Sequence, residues 1–349
     1  SRTLPGLQNV KILSLYNQDT SNYFHLMNFL VTGGAGYIGS HMVSFLQRKD
    51  FNPVVLDNFS TGKKCLLKNC EILNADLTDK KKLSVILNNR KFDAVFHFAA
   101  KSTVSDSFLS SKLYFNNNVD GTKNLVEEMK KNKNEILIFS SSAAVYGNPI
   151  TKLIKEEHPK NPISPYGESK LLCEEFLASE QLHKNFNYCN LRYFNAAGAD
   201  NLAEIGEYRD KETHLIPQVL NSIRGSHEPI TIYGNDYDTF DGTCVRDFIH
   251  VCDLVEAHYE AFKKIRDEKK SFTYNLANEE GFSVLDIIKV CEKITKKKIN
   301  YSFGNRRKGD PSTLIADCQK ARDGIFWNPS KSNIENIVTT AWKWHASLK

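Results

Sequence analysis

The chain has 349 residues, of which 41% are hydrophobic and 25% charged, and 46 basic against 41 acidic side chains give a net charge of +5. This length predicts about two domains with a buried core. The short basic runs lie close to acids or asparagines and have no interleaved aromatic residues, which argues against nucleic-acid binding. No uncharged apolar run reaches the roughly 18 residues that a membrane helix needs, so we expect no membrane association.

Cysteine and histidine patterns limit the cellular environment and the metal chemistry. The eight cysteines lack the density of a secreted disulfide scaffold and show no C-x-x-C spacing, so we expect a reducing, cytoplasmic location. The ten histidines include no H-E-x-x-H pair, so the sequence predicts no metal site. Residues 1–26 contain only a short apolar stretch, too weak for a signal peptide. We interpret them as an N-terminal extension, with a targeting segment as the alternative.

From Met27 onward, strand-like and helix-like segments alternate, which predicts an α/β fold with a Rossmann-type, doubly wound parallel sheet. The predicted strands are Asn28 to Thr32, Pro53 to Leu56, Glu71 to Leu73, Ala94 to Phe98, Glu135 to Ser140 and Tyr188 to Arg192. The predicted helices are Tyr37 to Arg48, Lys80 to Asn88, Asn117 to Lys131 and Tyr166 to His183. After Phe194 the alternation gives way to loops rich in Gly, Asp and Asn. We therefore predict a first domain over residues 27–194 and a smaller C-terminal domain over residues 195–349.

A glycine cluster follows the first predicted strand. Four of the 18 glycines, Gly33, Gly34, Gly36 and Gly39, fall within seven positions and include a G-x-G-x-x-G pattern. Glycines at a strand-to-helix turn let the backbone approach a diphosphate, which then meets the free N–H groups of the next helix. Asp57 ends the second strand 21 residues beyond Gly36, where an acid accepts both hydroxyls of an adenosine ribose. Because Asp57 would repel a 2′-phosphate, the pattern favours NAD over NADP.

A proton-transfer group is predicted from the tyrosines. Two of the fourteen have a lysine four residues on, Tyr166 with Lys170 and Tyr259 with Lys263, and this spacing puts both side chains on one helix face. Only Tyr166 follows prolines at a helix start and a run of serines at a strand end. A Tyr pKa about three units below 10 corresponds to roughly 4 kcal/mol of phenolate stabilisation. We expect Lys170 and a cationic nicotinamide to supply it, so that Tyr166 takes a proton from a sugar hydroxyl held by Ser142.

Short segments spread from about Asn28 to Trp344 carry a resemblance to known proteins. They are Thr32 to His41, Leu56 to Asn58, Phe98 to Ala100, Asn117 to Thr122, Ser140 to Gly147, Ser164 to Lys170, Arg192 to Asn195, Tyr233 to Tyr237, Asp241 to Thr243, Val245 to Val251 and Arg306 to Asp310. Together they resemble the extended short-chain dehydrogenase/reductase family, and within it the enzymes that invert C4 of UDP-sugars.

The resemblance implies that bound NAD is recycled while C4 of UDP-glucose or UDP-galactose is oxidised to a 4-keto sugar and reduced again on its other face. It implies catalytic roles for Ser142, Tyr166 and Lys170. The cofactor-binding residues that it implies are Gly33, Gly36, Tyr37, Ile38, Gly39, Asp57, Asn58, Asp76, Leu77, Phe98, Ala99, Ala100, Asn117, Tyr166, Lys170 and Tyr193. The implied UDP-sugar-binding residues are Ser142, Tyr166, Asn195, His214, Leu215, Tyr233, Arg246, Arg307, Asp310 and Leu314. The family also suggests a homodimer through the predicted helices Asn117 to Lys131 and Tyr166 to His183.

Two positions depart from the family pattern. Ser102 stands where some members carry a lysine, and Lys101 precedes it by one residue. Leu314 follows Asp310 by four residues, where members restricted to unacetylated sugars tend to carry Tyr and those that accept N-acetyl sugars carry a smaller residue. Leu is intermediate in volume, so a UDP-N-acetylglucosamine 4-epimerase remains an alternative.

Other functions compete with this interpretation. A nucleotide-sugar 4,6-dehydratase of the same fold would carry Thr-Asp-Glu after the serine strand, where this chain has Ser142, Ala143 and Ala144, so dehydration is disfavoured. A UDP-pentose or UDP-uronate 4-epimerase would use the same catalytic residues and is a further alternative. A non-catalytic NAD-binding sensor would not need the proton-transfer group, which is intact here.

Overall fold

The structure is a computed structural model that describes residues 27–181, 185–226 and 229–348. The predicted N-terminal extension and the predicted helix end at His183 lie outside the described residues. Within the described residues, no helix has both the length and the apolar character needed to cross a bilayer.

Thirteen strands and eleven α-helices make up the described chain. The strands are β1 Phe29–Thr32, β2 Val54–Asp57, β3 Glu71–Asn74, β4 Ala94–His97, β5 Ile136–Ser142, β6 Asn187–Tyr193, β7 Asn195–Ala197, β8 Ile230–Tyr233, β9 Val245–His250, β10 Phe272–Leu276, β11 Gly281–Ser283, β12 Tyr301–Gly304 and β13 Thr313–Leu314. The helices are α1 Tyr37–Gln47, α2 Lys80–Leu87, α3 Val104–Leu109, α4 Ser111–Tyr114, α5 Gly121–Lys131, α6 Pro165–Glu180, α7 Leu215–Asn221, α8 Val251–Glu268, α9 Val284–Thr295, α10 Gln319–Ile325 and α11 Ile334–Ser347.

A seven-stranded parallel sheet forms the centre of the molecule, with strand order β10-β6-β5-β4-β1-β2-β3. It confirms the predicted fold class, and all six predicted strands are present, with every end within two residues of its predicted position. The strand order reverses between β1 and β4. Ligands of such sheets bind at this switch point, outside the carboxyl ends of the strands.

Apolar side chains pack on both faces of this sheet. One buried cluster joins sheet residues such as Phe29 and Phe96 to Phe262 of α8. A second cluster lies on the opposite face and includes Leu125 of α5 and Leu177 of α6. Burial on both faces explains why these strands are almost continuously apolar in sequence.

The predicted boundary at residue 194 divides the chain in sequence but not the central sheet. β10 pairs in parallel with β6, and α8 packs against α1 and against β5 and β6. Residues 251–276 therefore complete the sheet that the first part of the chain begins. The loop-rich composition after Phe194 coincides with the end of β6 at Tyr193. The sequence does not indicate which edge of the sheet a later strand joins.

The remaining strands form smaller sheets beside the central one. β9 pairs with β11, β13 and β7, and β8 pairs with β12. Their core is a separate cluster with α7, α9 and α11 that includes Val219, Ile287 and Ile337.

Candidate active site

The glycine turn after β1 is shaped for a diphosphate. Gly33 has φ +68°, and a Cβ on Gly39 would lie 2.1 Å from the Gly33 carbonyl oxygen, so a side chain at Gly39 would not fit. Gly36 is the N-cap of α1, and no side chain caps the free N–H groups of this helix. Such groups at a helix N-terminus bind anions. The turn therefore fits the diphosphate of a dinucleotide.

Asp57 at the end of β2 is held next to this turn. Its Oδ2 accepts a hydrogen bond from Ala35 N at 2.9 Å and its Oδ1 accepts one from Phe59 N at 2.8 Å. Burial raises the pKa of Asp57, while these two backbone bonds oppose the rise. Asp57 thus connects the glycine turn to the segment that follows β2. It also lines the large cavity beside this turn.

One cavity contains every predicted cofactor residue. All sixteen of them line it, from Gly33 at the turn to Tyr193 at the end of β6. Residues that the sequence analysis did not assign also line it: Leu56, Ser60, Thr61, Gly62, Ala75, Lys101, Ser102, Ser140, Tyr208 and Arg209. The segment 60–62 directly follows β2 and could have been found as the turn beyond Asp57. Tyr208 and Arg209 lie far along the chain in a loop without a motif.

Tyr166 reaches the cavity from the first turn of α6. Ser164 caps this helix by accepting a hydrogen bond from Gly167 N at 3.1 Å, and Pro165 occupies the first turn, where proline is favoured. A Cβ on Gly167 would lie 2.4 Å from the Ala144 carbonyl oxygen. Only glycine therefore lets the helix start approach the segment that follows β5 so closely.

Burial dominates the protonation of Tyr166. It raises the pKa of the phenol, and the Ser142 hydroxyl and the Arg209 charge oppose the rise. Lys170 is not among the groups that lower this pKa, and the expected lowering by a bound, cationic nicotinamide stays a prediction. Lys170 Nζ instead donates to the Ser140 carbonyl oxygen at 2.7 Å, and burial lowers the pKa of this lysine to about 8.

Arg246 joins several of the predicted substrate residues. It forms an ion pair with Asp310, and in the pairing of β9 with β13 it lies opposite Leu314. The neighbouring Asp247 carbonyl accepts a hydrogen bond from Asn195 Nδ2 at 2.9 Å. Leu314 also packs against the buried cluster that contains Ala143, the residue after Ser142. These contacts connect the smaller sheets to the segment that contains Ser142, the predicted catalytic serine.

A second pair of predicted substrate residues is stacked. The Arg307 guanidinium lies 3.9 Å from the centroid of the Tyr233 ring. Both arginines predicted to hold the UDP-sugar thus lie beside another residue of the predicted set. The remaining two predicted residues, His214 and Leu215, stand at the start of α7.

His214 belongs to a charged cluster. Its Nδ1 lies 2.8 Å from Glu207 Oε1 and 3.2 Å from Glu212 Oε1, and Arg209 Nε donates to Glu207 at 2.8 Å. Glu207, Glu212 and His214 have the geometry of a possible metal site, with ligand atoms within 4.8 Å of one another. In this structure the Arg209 guanidinium balances the charge of Glu207.

We expect the His214–Glu207 pair to make stability depend on pH. Burial opposes the charge of the imidazole, but the Glu207 carboxylate outweighs it and raises the pKa of His214 to about 9, above the value of about 6.5 in an unfolded chain. The stabilisation is therefore complete below about pH 6.5 and is lost as the pH rises through about 9. Solvent screens the His214–Glu207 pair and reduces its contribution to stability, because the side chain of His214 is 43% exposed.

Thermal unfolding of the parent and of His214→Gln at pH 6, 7.5 and 9.5 measures this contribution. The difference in Tm between the two proteins is expected to shrink as the pH rises. A difference that stays constant over this range would show that the pair does not carry the pH dependence.

A parallel sheet with a switch point, an uncapped glycine turn and an acid at the end of β2 defines a Rossmann-type dinucleotide-binding protein. The model of the NAD dependent epimerase/dehydratase family matches residues 29–277, and the chain belongs to this family. The family resemblance seen in the sequence motifs is thereby confirmed.

Individual relatives match over nearly their whole length. The chain is 44% identical over 322 residues to a UDP-glucose 4-epimerase of Lactobacillus helveticus, covering 92% of this chain and 98% of the relative. It is 43% identical over 319 residues to one from Halalkalibacterium halodurans, covering 91% and 96%. The crystal structure of UDP-glucose 4-epimerase from Brucella ovis in complex with NAD is 37% identical, with a TM-score of 0.87 and coverage of 91% and 98%.

Proposed function

We infer that this chain catalyses the reversible inversion of C4 in UDP-glucose and UDP-galactose, with NAD as its bound cofactor. The observation that carries the inference is the match at 43 to 44% identity, over nearly the full length, to UDP-glucose 4-epimerases. The family is NAD dependent, and a similar structure was solved in complex with NAD. The glycine turn and Asp57 fit this cofactor, as described above.

NAD supplies the oxidising chemistry when it is bound, because it can accept a hydride from the sugar C4 and return it. We assign the proton chemistry to the protein. Tyr166 takes the proton of the C4 hydroxyl and returns it when the keto group is reduced. Ser142 holds the same hydroxyl by a hydrogen bond. Lys170, 2.7 Å from the Ser140 carbonyl oxygen, positions a positive charge beneath the end of β5.

We assign the binding of the UDP moiety to residues on and beside the smaller sheets. Arg246 and Arg307 have planar guanidinium groups that can pair with diphosphate oxygens. Tyr233 is 39% exposed at the end of β8, where its ring offers a stacking surface to a base. Holding the substrate by its nucleotide leaves the hexose free to turn over, which inversion requires.

The inference is tested by incubating the purified protein separately with UDP-galactose, UDP-N-acetylgalactosamine, UDP-xylose and UDP-glucuronate and identifying the C4 epimers by NMR. Formation of UDP-glucose from UDP-galactose is expected without added oxidant. Heat-denatured protein should release NAD rather than NADP. Epimerisation of only the pentose or uronate would favour the alternative substrates.

We propose that two copies of the chain associate through α5 and α6 and that the protein is cytoplasmic. Leu172 on α6 is 38% exposed, and Leu113 on the adjacent α4 is 47% exposed, so this face presents apolar surface. The cysteines of the described chain are all unpaired, as in a reducing compartment. Light scattering of the parent and of Leu172→Glu tests the dimer.

Leu314 is expected to control acceptance of the N-acetyl group, since its backbone lies opposite Arg246 and its side chain packs against the cluster that contains Ala143, the residue after Ser142. We predict some turnover of UDP-N-acetylglucosamine by the parent. Leu314→Tyr should lower kcat/KM for this sugar by about 10-fold to 200-fold, the effect of a steric loss of roughly 1 to 3 kcal/mol, and spare UDP-glucose. Measuring both sugars on both proteins decides the point. Equal losses of kcat/KM for the two sugars, or no acetyl-sugar activity in the parent, would show that Leu314 does not control this specificity.

A further inference from the structure

A loop from the second half of the chain crosses the cofactor cavity. Tyr208 and Arg209 lie between β7 and α7, yet they line the cavity together with the glycine turn after β1. The loop is fixed below them, because a Cβ on Gly206 would lie 2.4 Å from the Trp344 ring and because Trp344 Nε1 donates to the Glu207 carbonyl oxygen at 2.8 Å. Arg209 therefore projects from an anchored segment.

The outer end of the loop is tied to the first half of the chain. Lys63 Nζ lies 2.6 Å from Asp210 Oδ1 and 5.9 Å from the centroid of the Tyr208 ring. The backbone of Lys63 in turn donates to the Ala35 carbonyl oxygen at 2.8 Å, within the glycine turn. The ion pair is weak in water, since Asp210 is 86% exposed. We call this exposed contact between the loop and the first half of the chain the Lys63–Asp210 latch.

The guanidinium of Arg209 has unused hydrogen-bonding capacity. Its Nε donates to the buried Glu207 carboxylate, and no other hydrogen bond to the guanidinium is found among the described residues. The side chain is 25% exposed. Burial raises the pKa of both Tyr37 and Tyr166, and the Arg209 charge opposes the rise in each. Arg209 lines the same cavity as Tyr37, the first residue of α1, and Tyr166.

The other basic residues that line the cavity are Lys101 and Lys170. Lys170 Nζ is bonded to the Ser140 carbonyl oxygen. Burial raises the pKa of Asp76, but the Thr78 and Asn58 hydrogen bonds hold it below its usual value, and the Lys101 charge adds to this lowering. Arg209 lines the cavity from the loop that Lys63 connects to the glycine turn.

We propose that Arg209 pairs with the diphosphate of NAD from the side opposite the glycine turn, and that the Lys63–Asp210 latch holds it there, so that the cofactor is retained through turnover. An arginine can bond two phosphate oxygens at once, whereas the turn supplies backbone N–H groups only from the other side. This proposal rests on the function inferred above, because a cofactor that is reoxidised in each cycle has no need to leave.

The test is the rate of NAD release from the purified holoenzyme, measured by chromatography of the freed NAD after dilution. Arg209→Gln should release NAD about tenfold faster than the parent or more, and Arg209→Lys should lie between them because it keeps the charge but loses the planar fork. Arg266→Gln is the matched control, since Arg266 lies on the exposed side of α8 in a surface pair with Asp267. Its release rate should equal that of the parent.

Two further measurements separate contact with the diphosphate from a merely structural role. After NAD has been released, ADP should inhibit NAD rebinding less well in Arg209→Gln than in the parent, while adenosine should inhibit both equally. Lys63→Asp should release NAD about twofold to fivefold faster, the range of an exposed ion pair, and the charge-exchanged Lys63→Asp/Asp210→Lys should recover the parent rate.

The outcomes distinguish this proposal from the inferred function. A parent that holds no NAD would contradict the inferred function itself. A parent that retains NAD while Arg209→Gln releases it at the same rate would overturn the role of Arg209 alone. If Arg209→Gln weakened inhibition by ADP and inhibition by adenosine equally, the diphosphate contact would likewise be overturned.

Discussion

Tyr166→Phe is expected to lower kcat by on the order of 10² to 10⁴, the usual contribution of a positioned acid–base group. The substitution removes only the hydroxyl that exchanges a proton with the sugar and keeps the ring that fills the start of α6. The fold and the bound NAD should therefore be preserved. Steady-state kinetics with UDP-galactose, together with the NAD content of each protein, measures the effect.

Tyr259→Phe is the matched control, because Tyr259 also has a lysine four residues on. In the structure its ring packs against Phe45 and Phe262. It does not line the cofactor cavity. The kcat of Tyr259→Phe should stay within about twofold of the parent, since a substitution away from the site that keeps the packing of the ring has little effect. Equal activity of the two variants would refute the assignment of Tyr166 as the proton-transfer group.

Glu174→Gln is expected to lower the free energy of unfolding by about 3 to 5 kcal/mol, because it leaves the buried charge of Arg192 without its partner. The two side chains are 3% and 5% exposed and form a bidentate pair, with Nε and Nη2 of Arg192 at 2.8 Å and 2.6 Å from the carboxylate oxygens. Ser141 also donates to Glu174, at 2.5 Å. Urea unfolding measures the change.

Glu157→Gln is the control for this prediction. Glu157 pairs with Lys320 at 3.3 Å, but the two side chains are 71% and 47% exposed. An exposed pair contributes about 0 to 1 kcal/mol, so the same chemical change should have little effect there. Similar losses at both sites would mean that burial does not determine the cost of breaking these pairs.

The buried pair also matters for the site. Arg192 Nη1 donates to the Tyr146 hydroxyl at 2.9 Å, so the network links α6, β6 and the segment after β5. Ser141 and Tyr146 lie on either side of Ser142 along the chain. We therefore expect Glu174→Gln to lower kcat as well, because the serine loses the fixed surroundings that hold it beside Tyr166.

The sequence by itself determined the parallel sheet, and it predicted the glycine turn, Asp57 and Tyr166 as parts of one site. A strand, a glycine turn and a helix are local, so their residues are adjacent in the chain, and each has its own periodicity or turn composition. Gly36, Asp57 and Tyr166 could be found for this reason. The roles predicted for Arg246 and Arg307 came from the family resemblance, because an isolated arginine is ordinarily a surface residue.

Only the tertiary structure decided which distant segments meet. It brought β10 to the edge of the sheet at β6, paired Arg246 with Asp310, and placed Arg209 in the lining of the cavity that the glycine turn also lines. It also showed that burial raises the pKa of Tyr166 and that Lys170 bonds a backbone carbonyl. Contacts between residues far apart in the chain leave no periodic pattern, and burial depends on the packing of all the elements together.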